Sequence, residues 1–134
     1  MLTDFLERLC KELAIHSLPK RNELKIVPLR IGNESIALKD LDPGMALQAQ
    51  ICLCPEKKKE SLFIYLMRAN LLGQGAGGAR IGLDSDEKFL TLSLGLPYEL
   101  NYQTFKETIE DFVNYLIYWQ NEIGKFESEQ SMYQ

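Results

Sequence analysis

Long hydrophobic runs are missing from this chain of 134 residues. No apolar stretch approaches the roughly 18 residues that a membrane-spanning helix needs, so we expect no membrane span. The first ten residues, MLTDFLERLC, carry acidic side chains among apolar ones, unlike the apolar segment of a signal peptide. These absences favour a cytoplasmic protein.

Basic residues are outnumbered, and cysteine is scarce. The 15 lysines and arginines and 19 acidic residues give a formal net charge of -4, which repels phosphate backbones and predicts no nucleic-acid partner. Cys10, Cys52 and Cys54 follow no disulfide framework, so free thiols are expected. The Cys52-x-Cys54 pair lacks the further ligands of a zinc site, which wants about four, and no metal is predicted.

Groups for nucleophilic catalysis are also few. The stretch 91–95, Thr-Leu-Ser-Leu-Gly, approaches the Gly-x-Ser-x-Gly pattern of a nucleophile elbow, but it lacks the first glycine and lies inside an alternating strand pattern. The single histidine, His16, comes before this serine, near the end of the first helical segment. We therefore predict no catalytic residues and no enzymatic activity.

A glycine-rich stretch contains the letters Gly73-x-Gly75-x-x-Gly78 of a dinucleotide-binding loop. Such a loop needs a strand before its glycines and a helix after them, because the helix N-terminus holds the pyrophosphate. Here a helical pattern precedes the glycines, so the negative end of its dipole points at them. We interpret these glycines as a helix cap and turn and predict no cofactor; a small-ligand site at the glycines is the minor alternative.

Hydrophobic periodicity predicts a series of short elements without an internal repeat. In the third strand, Met45, Leu47, Ala49, Ile51 and Leu53 share one face, which indicates a sheet with one dry side. The fold class is α+β in the order α-β-β-β-α-β-β-α, with helices packed on a twisted, mainly antiparallel sheet. The predicted elements are a helix from Leu2 ended by Pro19, strands 24–31, 35–39 and 45–54, a helix over 61–72, strands 80–84 and 88–96, and a helix that Asn101 caps and Gly124 stops. Residues 1–124 form one domain, and residues 125–134 are expected to be a mobile polar tail.

The second helix is apolar all round, with little besides Arg68 and Asn70 left to meet water. A helix of this kind must be buried on more than one side. In a small domain with a single sheet, we expect the second side to meet another subunit. A central core helix is the alternative that the pattern leaves open.

A specific series of motifs runs through residues 68–119. It comprises Asn70-Leu71, Gly77-Gly78, Ile81-Gly82-Leu83-Asp84, Leu90-x-Leu92-Ser93, Leu96-Pro97, Phe105, Phe112 and Trp119. The series resembles the signature region of the class I type III secretion chaperones, the family of the Tir and YopE chaperones. Tyr98, where a second leucine is common, and Ile81 in place of leucine are small departures. The first half of the chain agrees only in element order, size and acidity.

The resemblance implies a bacterial cytoplasmic homodimer that holds the N-terminal region of one or more secreted effectors in extended, export-competent form without ATP hydrolysis. The export ATPase of the secretion apparatus is a further implied partner. The family's dimer contact uses the second helix and neighbouring strands, which here implies Leu62, Phe63, Leu66, Met67, Asn70 and Leu71. Effector binding is expected at Leu2, Phe5, Leu6, Leu9, Leu29, Ile31, Leu47 and Ile51.

Two alternatives stay open beside this hypothesis. Each effector-binding residue is almost equally well explained as plain core. A protein-interaction or regulatory module of the same fold, not dedicated to secretion, explains the same apolar surface without a secreted client.

Overall fold

The fold follows the predicted order of helices and strands. A computed structural model describes residues 2–12, 26–40, 44–56, 59–72, 78–96 and 100–132. Strands β1 to β5 form one antiparallel sheet in the order β1-β2-β3-β5-β4, and the predicted α+β class is confirmed. The elements are α1 (Leu2–Glu12), β1 (Ile26–Ile31), β2 (Glu34–Asp40), β3 (Met45–Leu53), α2 (Lys59–Leu72), β4 (Arg80–Leu83), β5 (Phe89–Leu96) and α3 (Tyr102–Met132).

Strand β3 lies at the centre of the sheet, between β2 and β5. Its alternating residues Leu47 and Ala49 lie opposite Leu94 and Leu92 of β5, which brings two apolar rows together on one face. Helix α3 packs on β3, α2 packs beside β4, and α1 packs on α3. The predicted dry side of the sheet is therefore the side that the helices cover.

A β-bulge interrupts the alternation of β3. The register with β5 shifts between Gln50 and Cys52, so that one extra residue, Ile51, is accommodated in β3. Ile51 remains buried, but Leu53 is 65% exposed. The prediction that Leu53 shares the buried face is therefore wrong, because the extra residue reverses the alternation beyond it.

Helix α3 supplies the longest row of core side chains. Asn101 caps it as predicted: the backbone N–H of Thr104 donates to Asn101 Oδ1 at 2.8 Å. The buried positions then recur every three or four residues, which places them on one helix face. They are Tyr102, Phe105, Ile109, Phe112, Leu116, Trp119 and Ile123.

The predicted helix end at Gly124 is wrong, since α3 continues to Met132. Past this glycine, Phe126 stacks on Tyr65 of α2, with ring centroids 5.9 Å apart and an interplanar angle of 11°. A glycine ends a helix where the chain needs a left-handed residue, and Gly124 is not among the residues with positive φ. The mobility expected of residues 125–134 stays a prediction.

Replacing Gly124 tests the continuity of α3. A β-carbon at Gly124 meets no atom within 4 Å. Because glycine in a helix interior costs about 0.5–1 kcal/mol relative to alanine, we expect Gly124→Ala to raise the free energy of unfolding in urea by that amount. A control is Gly44→Ala, which should lower it, because Gly44 has φ +97° and its added β-carbon lies 2.9 Å from the carbonyl oxygen of Leu96. An unchanged free energy for Gly124→Ala would place the end of α3 at residue 124.

Candidate protein interface

Helix α2 is only partly covered by the rest of the chain. Leu62, Leu66 and Ala69 are buried and face the core. The next apolar residues around the helix are open to solvent: Ile64 is 53% exposed and Met67 is 68% exposed. The part of the chain that the structure describes thus covers one side of this apolar helix and leaves another uncovered.

This uncovered side continues onto the neighbouring strand β4. Leu83 of β4 is 40% exposed and lines the same depression as Phe63 and Met67 of α2. We call this surface the α2–β4 face; it consists of Phe63, Ile64, Met67, Arg68, Asn70, Arg80 and Leu83. An exposed apolar patch of this kind on a small domain is characteristic of a protein-interaction surface.

Two shallow concavities shape the α2–β4 face. One, of about 660 Å³, is lined by Ile64, Met67, Arg68, Asn70 and Arg80. The other, of about 210 Å³, lies between α2 and β4. Met67 and Asn70 line both, so these two residues lie at the centre of the face.

The residues predicted at a dimer interface separate into distinct environments. Leu62 and Leu66 are core residues, whereas Phe63 is half-buried and Met67 is exposed. Asn70 is half-buried and bonded within the chain: its side-chain amide donates to the carbonyl oxygen of Ile81 and accepts from the N–H of the same residue, both at 2.8 Å. The side chain of Leu71 lies outside the described residues.

Two apolar residues of this face were absent from the predicted set. Ile64 belongs to the all-round apolar pattern of α2. The sequence therefore shows that this residue is apolar, but it does not show which side of the helix the core covers. Leu83 lies at the end of the short strand β4, opposite Leu90. No sequence pattern distinguishes it from Ile81, which lies two positions earlier on the same strand and is buried, because exposure here depends on what packs over each end of β4.

The residues predicted to bind an effector are mostly buried. Half-buried Phe5 and Ile31 are the exceptions among those described, and the side chain of Leu2 lies outside the described residues. The remaining residues of the set are core residues, which is the alternative that the sequence pattern left open. The buried residues are Leu6, Leu9, Leu29, Leu47 and Ile51.

A polar and aromatic cluster attaches α1 to the start of α3. Glu12 accepts hydrogen bonds from the hydroxyl of Tyr102 and from Nζ of Lys106, both at 2.9 Å. The guanidinium carbon of Arg8 lies 4.1 Å from the centroid of the Tyr102 ring. Phe5 packs against the same helix, with its ring centroid 5.1 Å from that of Phe105. The edge of α1 that carries Phe5 is therefore fixed by α3.

This cluster shifts the pKa values of its members. The hydrogen bond from Lys106, followed by that from Tyr102, holds the pKa of Glu12 below its usual value. Burial first, and then the hydrogen bond to Glu12, raises the pKa of Tyr102 to about 12. The hydrogen bond to Glu12 likewise raises the pKa of Lys106. Neutral tyrosine beside an ionised carboxylate is thus the stable arrangement.

Other chemistry among the described residues is sparse. Cys10 is buried, Cys52 and Cys54 are half-buried, and burial raises the pKa of both Cys10 and Cys54, which disfavours reactive thiolates. Within the described ranges, no group of three or more His, Cys, Asp or Glu is placed to hold a metal ion. None of the helices described combines the length and apolar character needed to cross a membrane.

The glycine stretch is described only at its end. Gly78 has φ +102°, in the region that favours glycine, and it lies two residues before the start of β4 at Arg80. Residues 73–77, with Gly73 and Gly75, lie outside the described residues. The described flanking elements are a helix before and a strand after, the reverse of a dinucleotide-binding loop.

The fold and the α2–β4 face describe a small α+β protein with an exposed apolar face. A family model, that of the Tir chaperone protein (CesT) family, matches residues 4–120. The chain therefore belongs to the Tir chaperone protein (CesT) family, and the resemblance carried by the motif series is confirmed.

Both a sequence relative and solved structures are similar to this chain. In sequence, a Chlamydia pneumoniae protein is 27% identical over 89 residues, which are 66% of this chain and 68% of that protein. The Yersinia pestis type III secretion chaperone SycH, solved in complex with a stable fragment of YscM2, is similar with a TM-score of 0.66 and 17% identity, over 87% of this chain and 98% of that one. YbjN, a proposed transcription regulator from E. coli, is similar with a TM-score of 0.68 and 13% identity, over 93% of each chain. At these identities the two structures show the fold alone.

Titration of Tyr102 tests the cluster at α1. Because the pKa of Tyr102 is raised, its contribution to stability is complete below about pH 10 and is lost as the pH rises toward 12. We expect an ultraviolet titration to show a late tyrosine step that Tyr102→Phe removes. Glu12→Gln should shift this late step partway toward lower pH, because burial remains as the larger cause.

A matched control for this titration is Glu107→Gln. Glu107 lies on α3 and accepts a hydrogen bond from Gln103 at 2.9 Å, away from Tyr102. The late step should be unchanged in this variant. A late step that Glu12→Gln does not move would contradict the hydrogen bond between Tyr102 and Glu12.

Proposed function

We propose that this protein is a type III secretion chaperone that binds the N-terminal segment of one or more secreted effectors in extended form. It acts in the bacterial cytoplasm, keeps the segment export-competent without hydrolysing ATP, and delivers it to the export ATPase. The observation that carries the proposal is the family match over residues 4–120. The apolar α2–β4 face supports it, because a chaperone of this kind needs protein-binding surface rather than reactive groups.

We propose the α2–β4 face as the site of homodimerisation. Its apolar residues come from one helix and the strand beside it, so a second copy can cover them by packing the same face in a two-fold arrangement. Stable interfaces bury on the order of 1,200–2,000 Å² in total. Met67 is the most informative residue to change, since it is 68% exposed in the single chain and lines both concavities. Leu62 and Leu66 are poor probes, because charging a core residue unfolds the domain itself.

The dimer test compares two exposed apolar residues. We expect Met67→Glu to convert the dimer to a folded monomer, as measured by light scattering and circular dichroism, because a buried unpaired charge is costly at an interface. Leu53→Glu is the matched control: Leu53 is 65% exposed and lies at the end of β3, outside the α2–β4 face. A dimer that survives Met67→Glu, or that only Leu53→Glu disrupts, would contradict this interface.

The proposed effector surface is narrower than the predicted set. Buried residues such as Leu9 and Leu47 belong to the hydrophobic core, so they support the surface from beneath instead of touching cargo. Phe5 and Ile31 are half-buried and border this core. We therefore propose that cargo side chains pack on Phe5 and Ile31, beside the cluster that fixes α1 to α3.

The cargo test begins with co-purification of the tagged protein from its native cytosol, with mass spectrometry of the bound proteins. We expect a secreted protein bound through an N-terminal segment that is protease-sensitive once released. Phe5→Ser should weaken binding of that segment by about tenfold or more, because burying a phenylalanine side chain contributes about 1.5–3 kcal/mol.

Phe89→Ser is the control for Phe5→Ser. Phe89 is another half-buried phenylalanine, and it lies on β5 opposite Leu53. It should leave the affinity for the segment unchanged, and the melting temperatures of both variants show whether the fold is kept. Recovery of no secreted client would contradict the chaperone function, whereas full affinity in Phe5→Ser would contradict only the position of the surface.

The second candidate function is an interaction or regulatory module outside secretion. The similarity to YbjN, with a TM-score of 0.68, shows that this fold is shared by a protein that is proposed to regulate transcription. A neighbouring reading frame that encodes a secretion substrate would favour the chaperone. Co-purification of a folded regulatory protein in place of an extended segment would favour the module.

A further inference from the structure

Strand β4 lies at one end of the sheet. Among the strands that the structure describes, it pairs with β5 alone, so its other side is an outer edge. An outer edge presents backbone N–H and C=O groups that readily pair with a strand of another molecule. Such an edge beside an apolar face is a ready site for sheet extension between two copies of the chain.

The side chain of Asn70 occupies this edge at its middle. Asn70 Nδ2 donates to the carbonyl oxygen of Ile81 at 2.8 Å, and the N–H of Ile81 donates to Asn70 Oδ1 at 2.8 Å. In an antiparallel pair, alternate residues direct both backbone groups away from the partner strand. The bonds to Asn70 show that Ile81, opposite Leu92, is such an outward-facing residue.

The amide of asparagine is suited to this position because it carries a carbonyl acceptor and an N–H donor, as a peptide group does. Two simultaneous bonds to one residue reproduce the pairing that a neighbouring strand would make. Helix α2 fixes the amide there, since Ala69 and Leu66, on the preceding turn, are buried in the core. The contact therefore closes the edge from within the chain.

We propose that Asn70 closes the β4 edge against the addition of another strand. Self-association at the α2–β4 face then proceeds by packing of side chains such as Met67, and not by joining two sheets through β4. This assigns Asn70 a role other than the direct subunit contact that the sequence predicted. The closure of the edge depends on neither the proposed chaperone activity nor the proposed dimer, because it concerns a bond within one chain, and only the mode of self-association rests on the proposed dimer.

The wild-type protein provides the first test. Hydrogen exchange should show the amide of Ile81 protected, although it faces the outer edge of the sheet. In Asn70→Ala it should exchange about tenfold faster or more, compared with amides of the central strand β3 as a reference for global opening. An unprotected Ile81 amide in the wild type would overturn the proposal, whether or not any variant folds.

The size of the particles provides the second test. Light scattering of Asn70→Ala should show species larger than the wild-type one, growing with protein concentration, because the opened edge accepts a strand of another copy. Adding Gly82→Lys should restore the wild-type size, since a lysine on an edge strand opposes pairing. The added side chain fits, because a β-carbon at Gly82 comes no closer than 3.9 Å to Thr91 Oγ1.

The two tests separate this proposal from the dimer. Wild-type size in Asn70→Ala at every concentration would overturn the proposal, because an open edge would then attract no strand. Larger species that persist after Gly82→Lys would also overturn it, because they would not form through the edge. A wild-type monomer contradicts the proposed dimer and leaves the comparison between wild type and Asn70→Ala intact.

Discussion

The packing of α3 along the helix-covered face of the sheet is the interaction on which the rest of the structure depends. Its buried row runs from Tyr102 to Ile123. Near its start, α3 contacts α1 through Phe5 and Glu12. Further along, it contacts α2 through Tyr65, whose ring centroid lies 6.0 Å from that of Trp119. Both shorter helices thus contact α3, and α2 also packs beside β4. Because α3 already covers the central strand β3, α2 is left beside the outer strand β4 with one side uncovered.

This placement of α2 links the fold to binding. Helix α2 is apolar all round, but the sheet and the long helix α3 leave Ile64 53% exposed and Met67 68% exposed. This uncovered side is the surface that we propose for contact with another copy of the chain. The side chain of Asn70 forms hydrogen bonds with both backbone groups of Ile81. The α2–β4 face therefore presents apolar side chains beside a strand edge whose backbone groups at Ile81 are already hydrogen-bonded.

Local errors in the prediction came from features with no local signal. The bulge at Gln50–Cys52 depends on how β3 fits β5, which is distant in sequence, and it exposes Leu53 against its apolar alternation. The glycine at position 124 predicts a helix end, but α3 continues through Gly124, and beyond it Phe126 stacks on Tyr65. The cluster at Glu12 was invisible for the same reason, since Tyr102 lies ninety positions along the chain from its partner.

The sequence by itself determined the order of elements, the antiparallel α+β class and the family. These follow from patterns that repeat over a few residues, because a side chain's face on a helix or strand is set by the local period. Only the tertiary structure decided which apolar residues are core and which remain open. Leu62 and Met67 belong to one apolar helix, yet one is fully buried and the other is 68% exposed. Burial depends on what packs against each side of α2, and that is fixed by contacts between distant elements rather than by the residues of the helix.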